Sequence, residues 1–502
     1  MQVGFCRVGV PQLTCNVRCI VTSSAAASKA CHKLYSHKQN KSQTYVLSQL
    51  LHNSYLARHM HTGKRMSDAT STKELDLSSY DIIGFDLDGT LLRYNLQEMS
   101  TLIYNVLKQH MVEQKGYSRA LLDKQLDMDF LQKGLLLDGP RGNVLKLSNT
   151  ATILRASHGT RKLSDAEIVA TYGPERRLQV ANEFYKDPLS TWNGPAAEEM
   201  RTLLDYFDMP SALVFAQAVD VVDADSSQAN EYHVWQDLLE TLMHNYSRDH
   251  FGNNKSLYFK AMRADPQRYV LRSSSKLVNW LHQLRASGKK IFLLTGSNID
   301  FAELTATQAF GPNWQQLFDI VATYAKKPGF FTQQRPFLRV DNVAKCELPN
   351  SELSLQETLV CGEVYSQGNW TQLHQSLAKH LKKDAGITRG LYFGDNIIQD
   401  VYTPVQHAGI ECCAIAEELL LLEQADYPYT HVLGSQFWDS YFSVDKQATL
   451  WSGFIAKYAK ICVSSMDQMA QTTPTQHIHC SNAHGFYPAL PKQLEDSNLL
   501  TI

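Results

Sequence analysis

Acidic residues are missing from the start of the chain: no Asp or Glu occurs before Asp68, although nine Lys and Arg do. Residues 1–67 therefore carry +9, and the remainder holds 39 basic against 50 acidic residues, or −11. The formal total of −2 over 502 residues conceals that split. An acidic body argues against a nucleic-acid partner, because backbone phosphates demand a basic face. No window approaches about 18 consecutive apolar residues, which excludes a membrane-spanning helix of the usual kind. None of the ten cysteines forms a Cys-x-x-Cys pair, so a zinc ribbon or thioredoxin-type site has no support. Four of them (Cys6, Cys15, Cys19 and Cys31) lie in the basic segment, and the other six are scattered. That sparse usage fits buried thiols in a reducing compartment. No internal repeat is visible.

What is present divides the chain. The basic segment is rich in Ser, Arg, Lys and His and has no apolar stretch of about 7–15 residues after its charged start. It reads as a mitochondrial transit peptide and not as a secretory signal. The alternatives are a disordered basic tail, or a cytosolic form that starts at Met66. Over the whole chain, 44% apolar and 20% charged residues describe an ordinary globular composition. The length calls for two or more domains, or one with large insertions.

The body opens with a short apolar strand, Ile82–Phe85, running straight into Asp86-Leu87-Asp88-Gly89-Thr90. Residues 96–290 read as mostly helical, with helices near Tyr104–Gln114 and Trp235–Asn245 and a hairpin over Leu145–Leu154 around Asn149. An amphipathic helix is expected at Ser275–Ser287, with Leu277, Trp280, Leu281 and Leu284 on one face and Gly288 as its left-handed stop. A strand at Ile291–Leu294 then ends in Thr295-Gly296-Ser297, a helix covers Asp300–Ala309, and a strand covers Asp319–Thr323. The stretch 328–389 looks irregular until a helix near Leu373–Leu381. A strand at Gly390–Phe393 ends in Gly394-Asp395-Asn396. From residue 464 the sequence has little periodicity and reads as loop. Helices alternating with short apolar strands predict an α/β fold with a doubly wound, mostly parallel sheet.

In such a sheet the carboxyl ends of the strands share one edge, where ligands bind. Asp86, Asp88, Thr295, Lys326, Lys327, Asp395 and Asp400 all fall at or just beyond those ends. Carboxylates at i and i+2, joined by a third from another strand, make an oxygen-rich site suited to Mg²⁺. Without a cation they would raise one another's pKa. A lysine and a hydroxyl beside such a site hold a phosphoryl group, which points to metal-assisted phosphoryl transfer. Taken singly, Asp86 and Asp88 could cap a turn, and Thr295-Gly296-Ser297 could cap a helix that also binds phosphate.

The segments Phe85–Thr90, Leu293–Gly296, Lys327 and Gly394–Asp400 resemble, in order, the four motifs of the haloacid dehalogenase superfamily. FDLDGTLLRYNLQEMSTLIYN, ILRASHGT, DPQRY, KPGFF, QRPF and YSQGN narrow the likeness to the cytosolic 5′-nucleotidase family. The resemblance implies a magnesium-dependent phosphatase for a nucleoside monophosphate or other small phosphomonoester, working through an aspartyl-phosphate. It implies Asp86 as nucleophile, Asp88 as general acid/base, and Thr295 and Lys327 on the phosphoryl group. It also implies Mg²⁺ held by Asp86, Asp395 and the backbone carbonyl of Asp88, with Asp400 as an outer or alternate carboxylate. Lys327 is preferred to Lys326 because Lys327-Pro328-Gly329-Phe330-Phe331 fits the family's Lys-Pro-x-Phe-Phe pattern.

The implied organisation is a catalytic core from 78–95 and 276–463, an inserted cap at 96–275, and a tail at 464–502. About 190 residues between motifs far exceed a strand-to-helix connection. Two departures qualify the likeness. Gly89 replaces a bulkier residue of close relatives and is expected to leave that loop freer. Purine nucleotidases place an aromatic ring after a His-Gly pair, whereas His158-Gly159 is followed by Thr160, Arg161 and Lys162. Purine specificity therefore does not follow from the resemblance, and His158 reads as structural. The competing readings are a phosphomutase, which shares the four motifs, and a binding or regulatory protein with weak or no activity on the same fold.

Overall fold

The structure, a computed structural model, describes residues 73–189, 196–225, 232–423, 433–480 and 485–487. The basic segment 1–67, with its targeting expectation and Met66, lies outside the described residues.

Short apolar runs without polar alternation form strands that are buried on both faces. Nine of them make the central sheet. In chain order they are β1 (Ile82–Phe85), β2 (Lys290–Leu294), β3 (Ile320–Thr323), β4 (Phe337–Asp341), β5 (Cys346–Glu352), β6 (Val364–Gln367), β7 (Gly390–Gly394), β8 (Glu411–Ile415) and β9 (Ala459–Val463). Their spatial order is 5-4-6-3-2-1-7-8-9. The run from β6 to β9 is parallel throughout, and only β4 and β5 pair antiparallel, at one edge. The chain winds outward from β1 through β2 and β3 to β6, then crosses to β7 and winds the other way. The reversal falls between β1 and β7, where an open parallel sheet leaves a ligand crevice. The register is level: Phe85 pairs with Leu293 on one side and Phe393 on the other, so all three strands end together.

Alternate residues of these strands feed two cores. Phe85, Leu293, Phe393 and Val463 face the helices Leu96–Lys115, Met209–Ala224, Val234–Asn245, Ser275–Ala286 and Ile299–Phe310. Phe292, Leu294, Tyr392 and Ala414 face the helices Trp370–His380 and Leu450–Tyr458. The Phe85 and Phe393 rings stack at 5.5 Å, and Trp280 meets Phe85 edge-on at 6.2 Å. These central rings join β1 and β7, the strands that carry the two leading acidic motifs.

The described part of 86–289 is not only helical. It contains a five-stranded antiparallel sheet built from Leu136–Asp138, Asn143–Leu147, Ile153–His158, Arg161–Lys162 and Met200–Thr202. The expected hairpin is its centre, with Ala151 at the turn. The flanking strands have two or three residues, too few for a period to show. The helix expected at Tyr104–Gln114 starts eight residues earlier, because Leu96, Met99 and Ile103 continue its buried face and Asn95 caps it through Glu98 N at 3.3 Å. Ser274 caps Ser275–Ala286, and Gly288 takes φ 88° after it, as expected.

Two expectations need correction. The stretch 328–389 holds the β4–β5 hairpin and β6. The exposed, polar composition of β5 hid that edge, as an edge strand's solvent face does. Residues beyond 464 are not loop throughout: Met466–Met469 is helical, and His477–His479 pairs antiparallel with Glu74–Asp76. Ile478 and Leu75 anchor that ribbon in the core, one apolar residue on each strand and too few for a periodic signal.

Among the described residues no helix is long and apolar enough to cross a membrane. The six described cysteines are free, and Cys412, Cys413, Cys462 and Cys480 are buried.

Candidate active site

The level ends of β1, β2 and β7 bring separate motifs to one buried place. Asp86 follows β1, and its backbone N–H donates to Phe393 O at 2.9 Å, which ties the start of the motif to β7. The chain then turns back on itself: Gly89 N donates to Leu92 O, and Leu92 N to Leu87 O, both at 2.9 Å. Gly89 sits at φ 80°, and a Cβ there would lie 2.5 Å from Asp395 Oδ2. The expectation of a freer loop is therefore overturned. The missing side chain permits close packing of the loop on Asp395, and the turn's hydrogen bonds hold it.

Asp86, Asp395 and Asp400 are buried, with one carboxylate oxygen of each within 4.8 Å of the others. Lys327 reaches into this group from the segment after β3. Its ammonium donates to Asp86 Oδ1 at 2.7 Å and to Asp400 Oδ1 at 2.6 Å. Tyr392 OH and Asn396 N also donate to Asp400, at 3.2 and 3.3 Å. Lys326 points elsewhere, donating to Gln367 Oε1 at 3.0 Å, so of the two lysines only Lys327 joins the carboxylates.

Burial pushes the Asp86 carboxyl up to about 7 against the pull of Lys327, with Asp400 and Asp88 adding to the push. Asp395 is held well above the usual carboxylate range by burial and by Asp86 and Asp400, although Lys133 opposes the rise. Burial disfavours the Lys327 ammonium, but Asp400 and Asp86 overcome that cost and keep it charged. Lys327 is shared by Asp86 and Asp400 alone, and Asp395 is left with only the opposing charge of Lys133 nearby. A hard divalent cation fits that donor set, since it would supply the missing charge and accept oxygen ligands.

Asp88 stands apart from the trio. Tyr94 OH donates to its Oδ1 at 2.6 Å, and Ser297 Oγ and Thr295 Oγ1 donate to its Oδ2 at 2.7 and 3.3 Å. Thr295 Oγ1 also accepts from Ser297 N at 3.0 Å, which fixes the loop after β2. The sequence-expected residues Asp86, Asp88, Thr295, Lys327, Asp395 and Asp400 thus converge. His158 does not join this network. Its Nδ1 lies 2.8 Å from Asn143 Oδ1, and its Nε2 lies 3.1 Å from Asp223 Oδ2. Thr160 is engaged by Asp220 through its N–H at 3.0 Å and its hydroxyl at 2.6 Å.

Tyr94, Lys133 and the contact of Ser297 with Asp88 are not anticipated by the sequence. Tyr94 and Ser297 hold Asp88, and each lies within six residues of a motif, the one signal that could have found them. Lys133 is a buried ammonium 3.5 Å from Glu418 Oε2 and 4.6 Å from the Tyr206 ring centre; Glu418 and Asp395 sustain its charge against burial. It comes from the antiparallel-sheet region, where nothing in the local sequence marks it.

A buried acidic cluster at the reversal point of a parallel sheet, with Lys327 among its carboxylates, fits the phosphoryl-handling class of protein. The particular family follows from comparison with known proteins. The chain belongs to the 5′-nucleotidase family, whose model matches residues 70–423. It is 36% identical to human 5′-nucleotidase domain-containing protein 1 over 353 residues, 69% of this chain and 74% of that protein. The bovine protein of the same name is 35% identical over the same shares. Human 5′-nucleotidase domain-containing protein 2 is 26% identical over 355 residues, 70% of this chain and 62% of its own length. The family places the chain among the 5′-nucleotidase-like phosphatases.

Proposed function

We propose that the protein is a Mg²⁺-dependent phosphomonoester hydrolase, acting on a nucleoside monophosphate or a similar small phosphate through an aspartyl-phosphate on Asp86. The observation that carries this reading is the division of labour between two neighbouring aspartates. Asp86 lies with Lys327 among the buried carboxylates, while Asp88 is held away from them by Tyr94 and Ser297.

In this reading an Asp86 oxygen attacks phosphorus, and the bond to the leaving oxygen breaks. Asp88 donates its proton to that oxygen and then takes a proton from water, whose oxygen attacks the phosphoryl group and frees Asp86. Lys327 and the Thr295 hydroxyl hold the phosphoryl oxygens. Mg²⁺, held by Asp86, Asp395 and the Asp88 carbonyl, would supply charge neutralisation at the phosphate. Asp400 keeps Lys327 charged and oriented. The fold would be haloacid dehalogenase-like, with residues 96–275 as a cap over the strand ends that excludes water. Thr160 contributes no stacking ring, so base recognition would rest on other residues. Mitochondrial targeting by residues 1–67 belongs to the same proposal.

A phosphatase screen of the full chain with Mg²⁺ over nucleotide and sugar phosphates tests it, with Asp86→Asn as control. Phosphate release above that control supports the reading, and none for any substrate sinks it. An isomerised sugar phosphate in place of free phosphate would point to a mutase instead.

A further inference from the structure

The ribbon that joins the two ends of the described body carries a second, unrelated constellation. Glu74–Asp76 pairs antiparallel with His477–His479, with Glu74 opposite His479. The ribbon is secured at both ends by Leu77 N donating to Gln476 O at 3.0 Å and Cys480 N donating to Lys73 O at 3.1 Å. Leu75 and Ile478 point inward and are buried, which fixes the register, so His477 and His479 share the outer face. A one-residue slip would bury them.

On that face His477 Nε2 lies 3.1 Å from Glu74 Oε2, and His479 Nδ1 lies 3.1 Å from Glu74 Oε1. The two imidazole centres are 4.5 Å apart. One ligand atom from each of the three residues falls within 4.8 Å of the other two. The side chains are 49%, 66% and 44% exposed for His477, His479 and Glu74, so they are open to an ion from solvent.

We propose that Glu74, His477 and His479 bind a Zn²⁺-class ion, two imidazoles and one carboxylate with the remaining positions left to water. The donor set is the borderline-soft one such ions prefer, and it is unlike the all-oxygen set of the active site. The nitrogen-to-oxygen spacings also suit it. Bonds of about 2.0–2.1 Å at a tetrahedral centre put neighbouring ligand atoms about 3.3 Å apart, close to each nitrogen's 3.1 Å from a Glu74 oxygen, and the ligand atoms, all within 4.8 Å of one another, draw together around the ion. An exposed His–Glu pair adds almost nothing to stability, so strand stability leaves the convergence of three such groups unexplained. The histidines lie beyond residues 70–423, the span matched by the 5′-nucleotidase family, and they take no part in the proposed reaction. A bound ion would clasp the start of the body to its end across 403 residues of sequence.

The test uses the full chain without an affinity tag, stripped by a chelator and titrated with Co²⁺ and then Zn²⁺. Binding is followed by visible absorption and calorimetry. The parent should bind one more equivalent than His477→Ala/His479→Ala, and added Zn²⁺ should raise its melting temperature more. Every other metal-binding group is present in both proteins, so the difference reports this site alone. Glu74→Gln should weaken binding by at least about tenfold, the amount that losing even an outer partner of a metal ligand costs. All three residues are exposed, so the variants lose no core contact, and phosphatase activity in Mg²⁺ checks their folding. Equal stoichiometry and affinity in parent and double variant would overturn the proposal.

Discussion

Replacing Lys327 with methionine keeps the aliphatic stem and removes the charge that two buried carboxylates share. In the parent the ammonium meets Asp86 at 2.7 Å and Asp400 at 2.6 Å, and its side chain is 4% exposed. Breaking a buried ion pair from one side costs about 3–5 kcal/mol, because the partner's charge is left uncompensated. Asp86, already pushed up to about 7, relieves part of that by taking a proton, so a loss near the lower end, about 3 kcal/mol, is expected. With a urea slope of about 3 kcal/mol per molar, the unfolding midpoint falls by about 1 M. The assay is urea unfolding of parent and Lys327→Met at pH 7.5, followed by tryptophan fluorescence with and without Mg²⁺. Mg²⁺ should restore more stability to the variant than to the parent, since a cation among the carboxylates replaces the missing charge. A variant that unfolds at the parent's midpoint without Mg²⁺ would refute the electrostatic account of the site.

Ser297→Ala and Tyr94→Phe each remove a hydroxyl from the Asp88 carboxylate. A hydrogen bond to a charged group is worth about 1.5–3 kcal/mol, so kcat should drop roughly 10–100-fold with KM little changed; steady-state kinetics showing less than a twofold loss would contradict the role given to Asp88. Gly89→Ala forces a Cβ toward Asp395 Oδ2 at a backbone angle that disfavours side chains, and should raise the Mg²⁺ concentration for half-maximal activity; an unchanged Mg²⁺ titration would show that the loop yields. Burial, with His244 and Lys115 adding, lowers His110 from 6.5 to about 4, opposed by Glu113, while His250 adds a weaker push. The unfolded chain therefore binds the extra proton between about pH 6.5 and 4, and stability falls as pH drops through that window. Because the ring is only partly buried, the loss is discounted to about 1 kcal/mol, and His110→Gln should flatten that part of the stability profile.

The features legible in the sequence share a physical cause. Strands β1, β2, β3 and β7 are buried on both faces, so they appear as unbroken apolar runs, and each ends abruptly in polar residues that need the crevice. That combination points to Asp86, Asp88, Thr295, Asp395, Asp400 and the pair Lys326 and Lys327, and the family's Lys-Pro-x-Phe-Phe pattern selects Lys327 from the pair. The two- and three-residue strands around Leu136 and Met200 carry no period, and the polar edge strand Cys346–Glu352 carries the wrong one. β9 escaped because Ala459–Val463 follows directly on the helix Leu450–Tyr458 and shares its apolar composition. Lys133 could not be foreseen, since its importance arises only when folding buries it near Asp395 and Glu418. The looseness attributed to Gly89 failed for a related reason. Whether a glycine gives freedom or permits contact depends on what lies opposite, and here it is Asp395.

The central claim is that Asp86 becomes phosphorylated during turnover, and a trapping experiment tests it most directly. Enzyme quenched during hydrolysis of its best substrate is treated with borohydride, which reduces an acyl phosphate of aspartate to homoserine, and its peptides are then mapped by mass. The account predicts homoserine at position 86, dependent on substrate and Mg²⁺ and absent from position 88. An active enzyme that yields no homoserine at 86, or yields it at another aspartate, would contradict it.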